Sequence, residues 1–344
     1  MRRPLPLLAV VVLVAALAPP ALAANGPGAA PANKGPRPVI GLVTEAGALY
    51  DAAYNQAAWE GVQAGAAAIG GRAMVVVPSD PSGYAKDIQR FARRADVVVT
   101  VGFTMADATL AVALANPKVQ FLGLDEWFES TPANLQGILF DGAQAGFLAG
   151  IVAAGMTESG VVGAVGGWDT IGAVLAYMNG YRNGSIWFDT NVGYVHNYAG
   201  SFGDPAAGYA SASALIIEDA DVVMGVAGRT NQGIFEAACG TEVWAIGVDV
   251  DAYLQLPDFQ ACLLTSAENK LAHATSLAIQ RWFVGRPGFE SGLYVNGAWN
   301  DGIGLAPIRN APVPRPVQEA LDDAYAGLAD GSISACKPTA CDTK

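Results

Sequence analysis

"ADVVVTVGFTMADATLAVA" (Ala95–Ala113) is echoed by "ADVVMGVAGRTNQGIFEAA" (Ala220–Ala238) in the second half of the chain. Each opens on Ala-Asp and a short Val-rich run, breaks at a glycine, and continues with small and apolar residues in a helix-like pattern. A short apolar run closed by a turn signal reads as a buried strand, and the segment behind it as the helix that covers it. A second strand follows each copy and ends on an aspartate, Asp125 in "FLGLDE" and Asp249 in "WAIGVDVD". From Asp96 to Asp125 is 29 positions and from Asp221 to Asp249 is 28, so one unit, strand–turn–helix–strand–Asp, occurs twice.

The same alternation runs through the whole chain. Ten strand candidates stand out: 39–44, 72–78, 96–102, 119–125, 135–141, 160–166, 192–198, 221–227, 243–249 and 262–266. Most of the gaps between them carry helical patterns. Hydrophobic content is high (52%) and charge content low (15%), as expected for strands covered on both faces. The fold class read from this is α/β: two lobes, each a doubly wound parallel sheet flanked by helices. Ten strands are too many for one small sheet with a single switch point.

In such sheets ligands bind beyond the carboxyl ends of the strands. Phe103, Asp125, Gly228 and Asp249 stand there, and Trp168 in "GGWDT" is a further aromatic at a strand end. After the first strand comes "LYDAAYNQAAWEGVQAG" (Leu49–Gly65), which puts Asp51, Tyr54, Asn55 and Gln56 at a strand-to-helix turn. Asp and Asn cap helices; they also contact ligands. The matching acidic tips in two lobes favour a turn that faces a shared cleft, where ligand sites commonly lie.

The first residues read as a leader. "MRR" and the apolar run behind it precede an A-x-A site at Ala21 and Ala23, so 1–23 is assigned as a signal peptide and 24–37 as a flexible lead-in. The first cysteine is Cys239, so no lipobox cysteine follows the leader. An exported protein, in the periplasm or at the cell surface, is expected. Four cysteines in an oxidising compartment suggest two bridges. Of the three pairings open, Cys239–Cys262 would tie a helix end to a strand start, and Cys336–Cys341 would close a short tail loop. The lobes are read as 38–138 plus 265–290 and 139–264 plus 291–312, with a C-terminal helix and tail over 313–344.

Several classes are excluded. A net charge of −12 argues against neutralising nucleic-acid phosphates. Neither a G-x-G-x-x-G nor a Gly-Lys-Ser/Thr phosphate loop occurs. His196 and His273 are isolated, and "DVDAY" (Asp249–Tyr253) lacks the glycine and distal glutamate of a calcium loop. No metal and no cofactor are expected.

"GLVTEAGALYDAAYNQAAWEG", "VVVTVGFTMADAT", "DGAQAGFLAGIVAA", "VGAVGGWDT", "AGRTNQGIFEAA", "IGVDVDAY" and "GIGLAPIR" resemble, in order, the motifs of the basic membrane protein family. These are substrate-binding proteins of ABC transporters, related to purine-nucleoside-binding lipoproteins. The resemblance runs from about Pro38 to Arg309. It implies a type I periplasmic-binding-protein fold with a three-stranded hinge, capture of a purine nucleoside or nucleobase compound between the lobes, a membrane permease as partner, and a monomer with no catalytic residues. Residue by residue, it implies that Asp51 and Asn55 contact the base, that Phe103 stacks on it, and that Asp125 is a first-lobe site residue. Gly228 would let backbone approach the ligand, and Asp249 would grip ribose hydroxyls. Tyr54 stands where the family usually has Phe. In "TSAENK", Asn269 holds the strict register of the family's ligand lysine and Lys270 comes one residue later, so either the turn absorbs a residue or the ribose-side contact has changed. Two other classes fit the same sequence: a secreted nucleoside hydrolase with Asp249 and Asp251 as metal ligands, and a sensing module for a receptor kinase.

Overall fold

The computed structural model describes residues 37–51, 53–284 and 291–341, within the unit Gly35–Lys344. The leader assigned to 1–23 and nearly all of the lead-in lie outside the described residues. In chain order the strands are β1 (Val39–Val43), β2 (Arg72–Val76), β3 (Val97–Val101), β4 (Gln120–Leu124), β5 (Leu135–Phe140) and β6 (Val161–Gly166). They continue with β7 (Gly193–Tyr198), β8 (Val222–Val226), β9 (Trp244–Asp249), β10 (Leu263–Asn269), β11 (Gly292–Asn296) and β12 (Ile303–Leu305). The helices are α1 (Tyr54–Ala68), α2 (Tyr84–Ala92), α3 (Ala106–Ala115), α4 (Gly142–Met156) and α5 (Gly172–Phe188). Then come α6 (Pro205–Ile217), α7 (Asn231–Cys239), α8 (Ala252–Gln255), α9 (Leu271–Val284) and α10 (Arg315–Asp330). None of the described helices is long and apolar enough to cross a membrane.

Two six-stranded sheets form, ordered β11-β5-β4-β3-β1-β2 and β12-β10-β9-β8-β6-β7. All neighbours pair in parallel except β12, which runs antiparallel to β10. The repeat seen in the sequence recurs in the packing. In β3, Val97, Val99 and Val101 face one apolar cluster and Val98 the other; in β8, Val222, Met224 and Val226 face one and Val223 the other. Alternation over two buried faces is what a continuous apolar strand produces.

The chain passes between lobes three times: after Phe140 into α4, between Asn269 and α9, and from Asn296 to Ile303. Leu271 and Ile279 of α9 pack with Ile40 and Val62 of the first lobe, whereas α4 packs under the second sheet. These positions correct the sequence boundaries. Residues 265–269 belong to the second lobe, because β10 carries its pairing on to Glu268 with β9 and Asn269 with β12 before the chain can leave. Residues 292–296 belong to the first, because β11 pairs with β5. Neither β11 nor β12 was among the strand candidates read from the sequence. β11 is an edge strand with half-exposed residues, and β12 has only three.

Close helix packing sets the position of α5. A Cβ on Gly180 would lie 2.1 Å from the Ala143 carbonyl oxygen, and one on Gly184 would lie 1.9 Å from that of Phe147. Only glycine admits this approach, and it seats the Tyr177 ring against Gly142 at the first crossing. Cys239 and Cys262 are bonded, joining the end of α7 to the start of β10, and so are Cys336 and Cys341. Asn183 Nδ2 holds the tail by donating to the Ala335 and Thr339 carbonyls at 2.8 and 2.7 Å.

Candidate functional site

Asp125 and Asp249 end equivalent strands in the two lobes, and both hold a left-handed backbone, with φ of 56° and 68°. Few side chains other than Asn and Asp tolerate that region, and at such strand ends it turns the carboxylate off the ladder. Their fields reach across the lobes. Burial raises the Asp249 carboxyl to about 7, with the nearby Asp125 charge adding to it. Burial raises Asp125 to about 6, and Glu45 adds to that. The groups acting on the two aspartates are carboxylates and phenols. The nearby cations are committed elsewhere: Lys270 Nζ pairs with Asp301, and Arg309 grips Asp251 through two bonds of 2.8 and 2.7 Å.

Around Asp249 sits a network from three elements. Tyr54 Oη at the start of α1 donates to Asp249 Oδ1 at 3.3 Å, and Asn269 Nδ2 donates to Tyr54 Oη at 2.8 Å and to Asp249 Oδ1 at 3.2 Å. Tyr177 Oη donates to Asn269 Oδ1 at 2.8 Å and stands 3.3 Å from Asp249 Oδ1. Burial drives both phenols well above their ordinary range, so they remain donors at any physiological pH. A recess of about 290 Å³ opens beside the network, between Ala53, Ala57 and Glu60 of the first lobe and Asp249, Asp251 and Glu268 of the second.

The other residues singled out in the sequence are placed as follows. Asp51 is exposed and caps α1, accepting from the backbone N–H of Ala53, Asn55 and Gln56 at 2.9, 3.1 and 3.1 Å. Asn55 is buried and braces the turn: its Oδ1 accepts from Glu45 N, and its Nδ2 donates to the Glu45 and Ala48 carbonyls. Tyr54, which stands where the family usually has Phe, is the one that reaches the other lobe. Phe103 follows Gly102 beyond β3 and is 52% exposed, so its ring is outside the core. Trp168 is also exposed. Gly228 holds a φ of 55° just beyond β8. Lys270 lines the recess, but Asn269 is the side chain joined to Asp249.

Three acidic or phenolic groups escaped the sequence reading. Glu45 follows β1, accepts from Thr104 Oγ1 at 2.6 Å, and is raised by burial. It fills the space a Cβ on Gly102 would take. Its position two residues past β1 was the available signal. Tyr177 lies inside a helix with no motif to mark it. Glu126 is fully buried beside the Thr100 and Thr109 hydroxyls, and burial pushes its carboxyl up to about 8.

Two facing α/β lobes with a strand-end cleft define a two-lobed solute-binding protein. A solved structure of this kind, an ABC transporter system solute-binding protein from Conexibacter woesei, is 28% identical. It superposes with a TM-score of 0.72 over 86% of this chain and 98% of its own. The chain belongs to the Bmp family, described as ABC transporter substrate-binding protein PnrA-like, which it matches over residues 39–324. That is a family of transport proteins and not of enzymes, which removes the hydrolase reading. Among the described residues no group of three His, Cys, Asp or Glu could hold a metal ion.

Curated relatives include Basic membrane protein B of Borrelia garinii subsp. bavariensis, 30% identical over 64% of this chain and 66% of that protein. Another is the ABC transporter nucleoside-binding protein BmpA of Lactococcus lactis subsp. cremoris, 30% identical over 61% of this chain and 63% of that one. The match thus spans slightly less than two thirds of these relatives' length.

Proposed function

We propose that this chain is the exported receptor of an ABC transporter, capturing a purine nucleoside or a related nucleobase compound between its lobes and presenting it to a membrane permease. The observation that carries this reading is the pair Asp125 and Asp249, at matching strand ends of opposite lobes and in the same left-handed conformation. Paired carboxylates facing one cleft accept hydrogen bonds from a ligand rich in N–H or O–H donors, and charge-assisted bonds are the strong ones. Phe103, exposed beyond Gly102, offers a flat face on which a base can stack. The relative from Lactococcus, named for nucleoside binding, supports the same ligand class. A ligand that touches both lobes favours the closed form through its differential affinity, which couples capture to closure. Export rests on the leader read in 1–23.

Asp51 and Asn55 enter this reading by shaping the turn from which Tyr54 projects. Asn269 takes the cleft-side position in preference to Lys270, whose ammonium is paired with Asp301. The test is titration calorimetry of the purified protein with purine bases, purine nucleosides, and ribose and glucose as controls. Binding of a purine compound, weakened by about 1–3 kcal/mol in Phe103→Ala through lost stacking, is expected. Binding of a sugar without a base, or unchanged affinity in Phe103→Ala, would refute it.

A further inference from the structure

Resting on the reading of Asp249 as a ligand acceptor, we propose that Tyr177 is a positioning residue for capture: acting through the Asn269 amide, it keeps Asp249 a hydrogen-bond acceptor for the guest. Lys270 and Arg309 are paired with Asp301 and Asp251, and among the described residues no ion pair supports the Asp249 carboxylate. Its support is dipolar, from Tyr54 Oη at 3.3 Å and Asn269 Nδ2 at 3.2 Å. A carboxylate only accepts, so the amide must turn Nδ2 toward it. That obliges Asn269 Oδ1 to point the other way, in a side chain that is buried. The donor it meets there is Tyr177 Oη at 2.8 Å, closer than the 3.3 Å from the same hydroxyl to Asp249 Oδ1. The protons therefore run one way, from Tyr177 to Asn269 and from Asn269 to Asp249.

An amide is nearly symmetric in shape, and its partners decide which end faces which way. Without the Tyr177 proton, the orientation that puts Nδ2 on Asp249 leaves a buried carbonyl without its donor, which is costly. The turned amide, with Oδ1 toward Asp249, suits only the protonated acid. Tyr177 thus selects the amide orientation that matches an ionised Asp249. Charged groups border Asp249 from the other elements as well: Asp125 across the cleft, Glu60 on α1, Asp251 beyond β9, Glu268 on β10, and Lys270 and His273 at the start of α9. Removing one phenolic hydroxyl changes none of them.

The experiment compares the mature protein with its Tyr177→Phe variant, which keeps the ring that packs against Gly142 and deletes only the hydroxyl. Carbon NMR of protein labelled at the aspartate carboxyls follows each titration, with the Asp249 signal identified through Asp249→Asn. The Asp249 midpoint should move up by about half a pH unit or more in the variant, because a donor to the charged form has been lost. Calorimetry with a purine compound that the parent binds should show affinity reduced by roughly twofold or more near pH 6.5, with the loss closing near pH 8.5, where Asp249 is ionised in both proteins. An unmoved midpoint overturns the inference. So does an affinity loss that is the same at both pH values, which is what a merely structural role would give. If the parent binds no purine compound, the reading of the function falls, and the carboxyl titration still decides the role of Tyr177. If the variant does not fold, the parent decides: its Tyr177 ring Cζ and Asn269 side-chain amide signals should both move with the Asp249 midpoint, and a Tyr177 signal that stays flat through that range overturns the inference.

Discussion

Tyr54 on the first lobe and Asp249 on the second meet through a hydrogen bond of 3.3 Å, with Asn269 bonded to both. The bond ties the helix that starts after β1 to the end of β9, across the cleft and beside a chain crossing. A ligand that enters here works on a pair of lobes already joined by polar side chains.

Asp249→Asn tests the charge at that junction while keeping the fold. Asparagine tolerates the left-handed backbone that Asp249 adopts, so the strand end keeps its shape. The loss of a charge-assisted bond should weaken ligand binding by about 1.5–3 kcal/mol, read by calorimetry, with a melting temperature close to that of the parent.

Binding should depend on pH with a definite sign. Asp125 and Asp249 are raised to about 6 and about 7. A donor ligand favours their ionised forms, so binding releases protons and affinity rises through that window, by at most about tenfold per pH unit for each carboxylate that must ionise. The unliganded protein moves the other way. Because the folded carboxyls hold protons more tightly than unfolded ones, their contribution to stability is complete below the unfolded value of 3.8 and is lost as pH rises through about 6 to 7. Calorimetry in buffers of different ionisation enthalpy measures the released protons, and proton uptake on binding would contradict the scheme.

Glu126 supplies a stability prediction for the buried core behind Asp125. Its carboxyl is raised to about 8 by burial, so its contribution is complete below 4.5 and disappears as pH climbs through about 8. Glu126→Gln keeps the shape without an ionisable proton. Thermal melts should show the parent losing stability between neutral and alkaline pH and the variant losing less; parallel losses would show that Glu126 does not titrate in the core.

Gly184→Val should disrupt the second lobe. The added carbons would enter a space whose nearest atom, the Phe147 carbonyl oxygen, is 1.9 Å from an ideal Cβ. Overpacking of this kind costs about 1–3 kcal/mol or more, and the helix shift it forces would also move Tyr177 away from Asn269. Chemical denaturation and ligand titration of the same variant would report both effects.

Much of the fold was legible because the lobes repeat. Val-rich strands covered on both faces leave a continuous apolar signal, and the copies at Ala95–Ala113 and Ala220–Ala238 gave the two-lobed architecture directly. The aspartates at strand ends were legible for the same reason. The edges were not: Leu293 and Val295 of β11 are exposed, so the strand carries no buried pattern. Crossing points were misplaced because a strand's pairing, and not its apolar run, decides where the chain can leave a sheet. In the site, Tyr177 was invisible because its role depends on how α5 packs against α4, which no local motif records. Asp51 and Asn55 were visible as polar residues at a turn, but sequence does not tell a side chain that builds a turn from one that is presented by it.

Mass spectrometry of whatever leaves the protein when it is purified gently and then denatured tests the ligand class without assuming which compound is bound. A released species with the mass of a purine base or a purine nucleoside is the predicted result. A sugar, an amino acid or a peptide released in stoichiometric amount would contradict it.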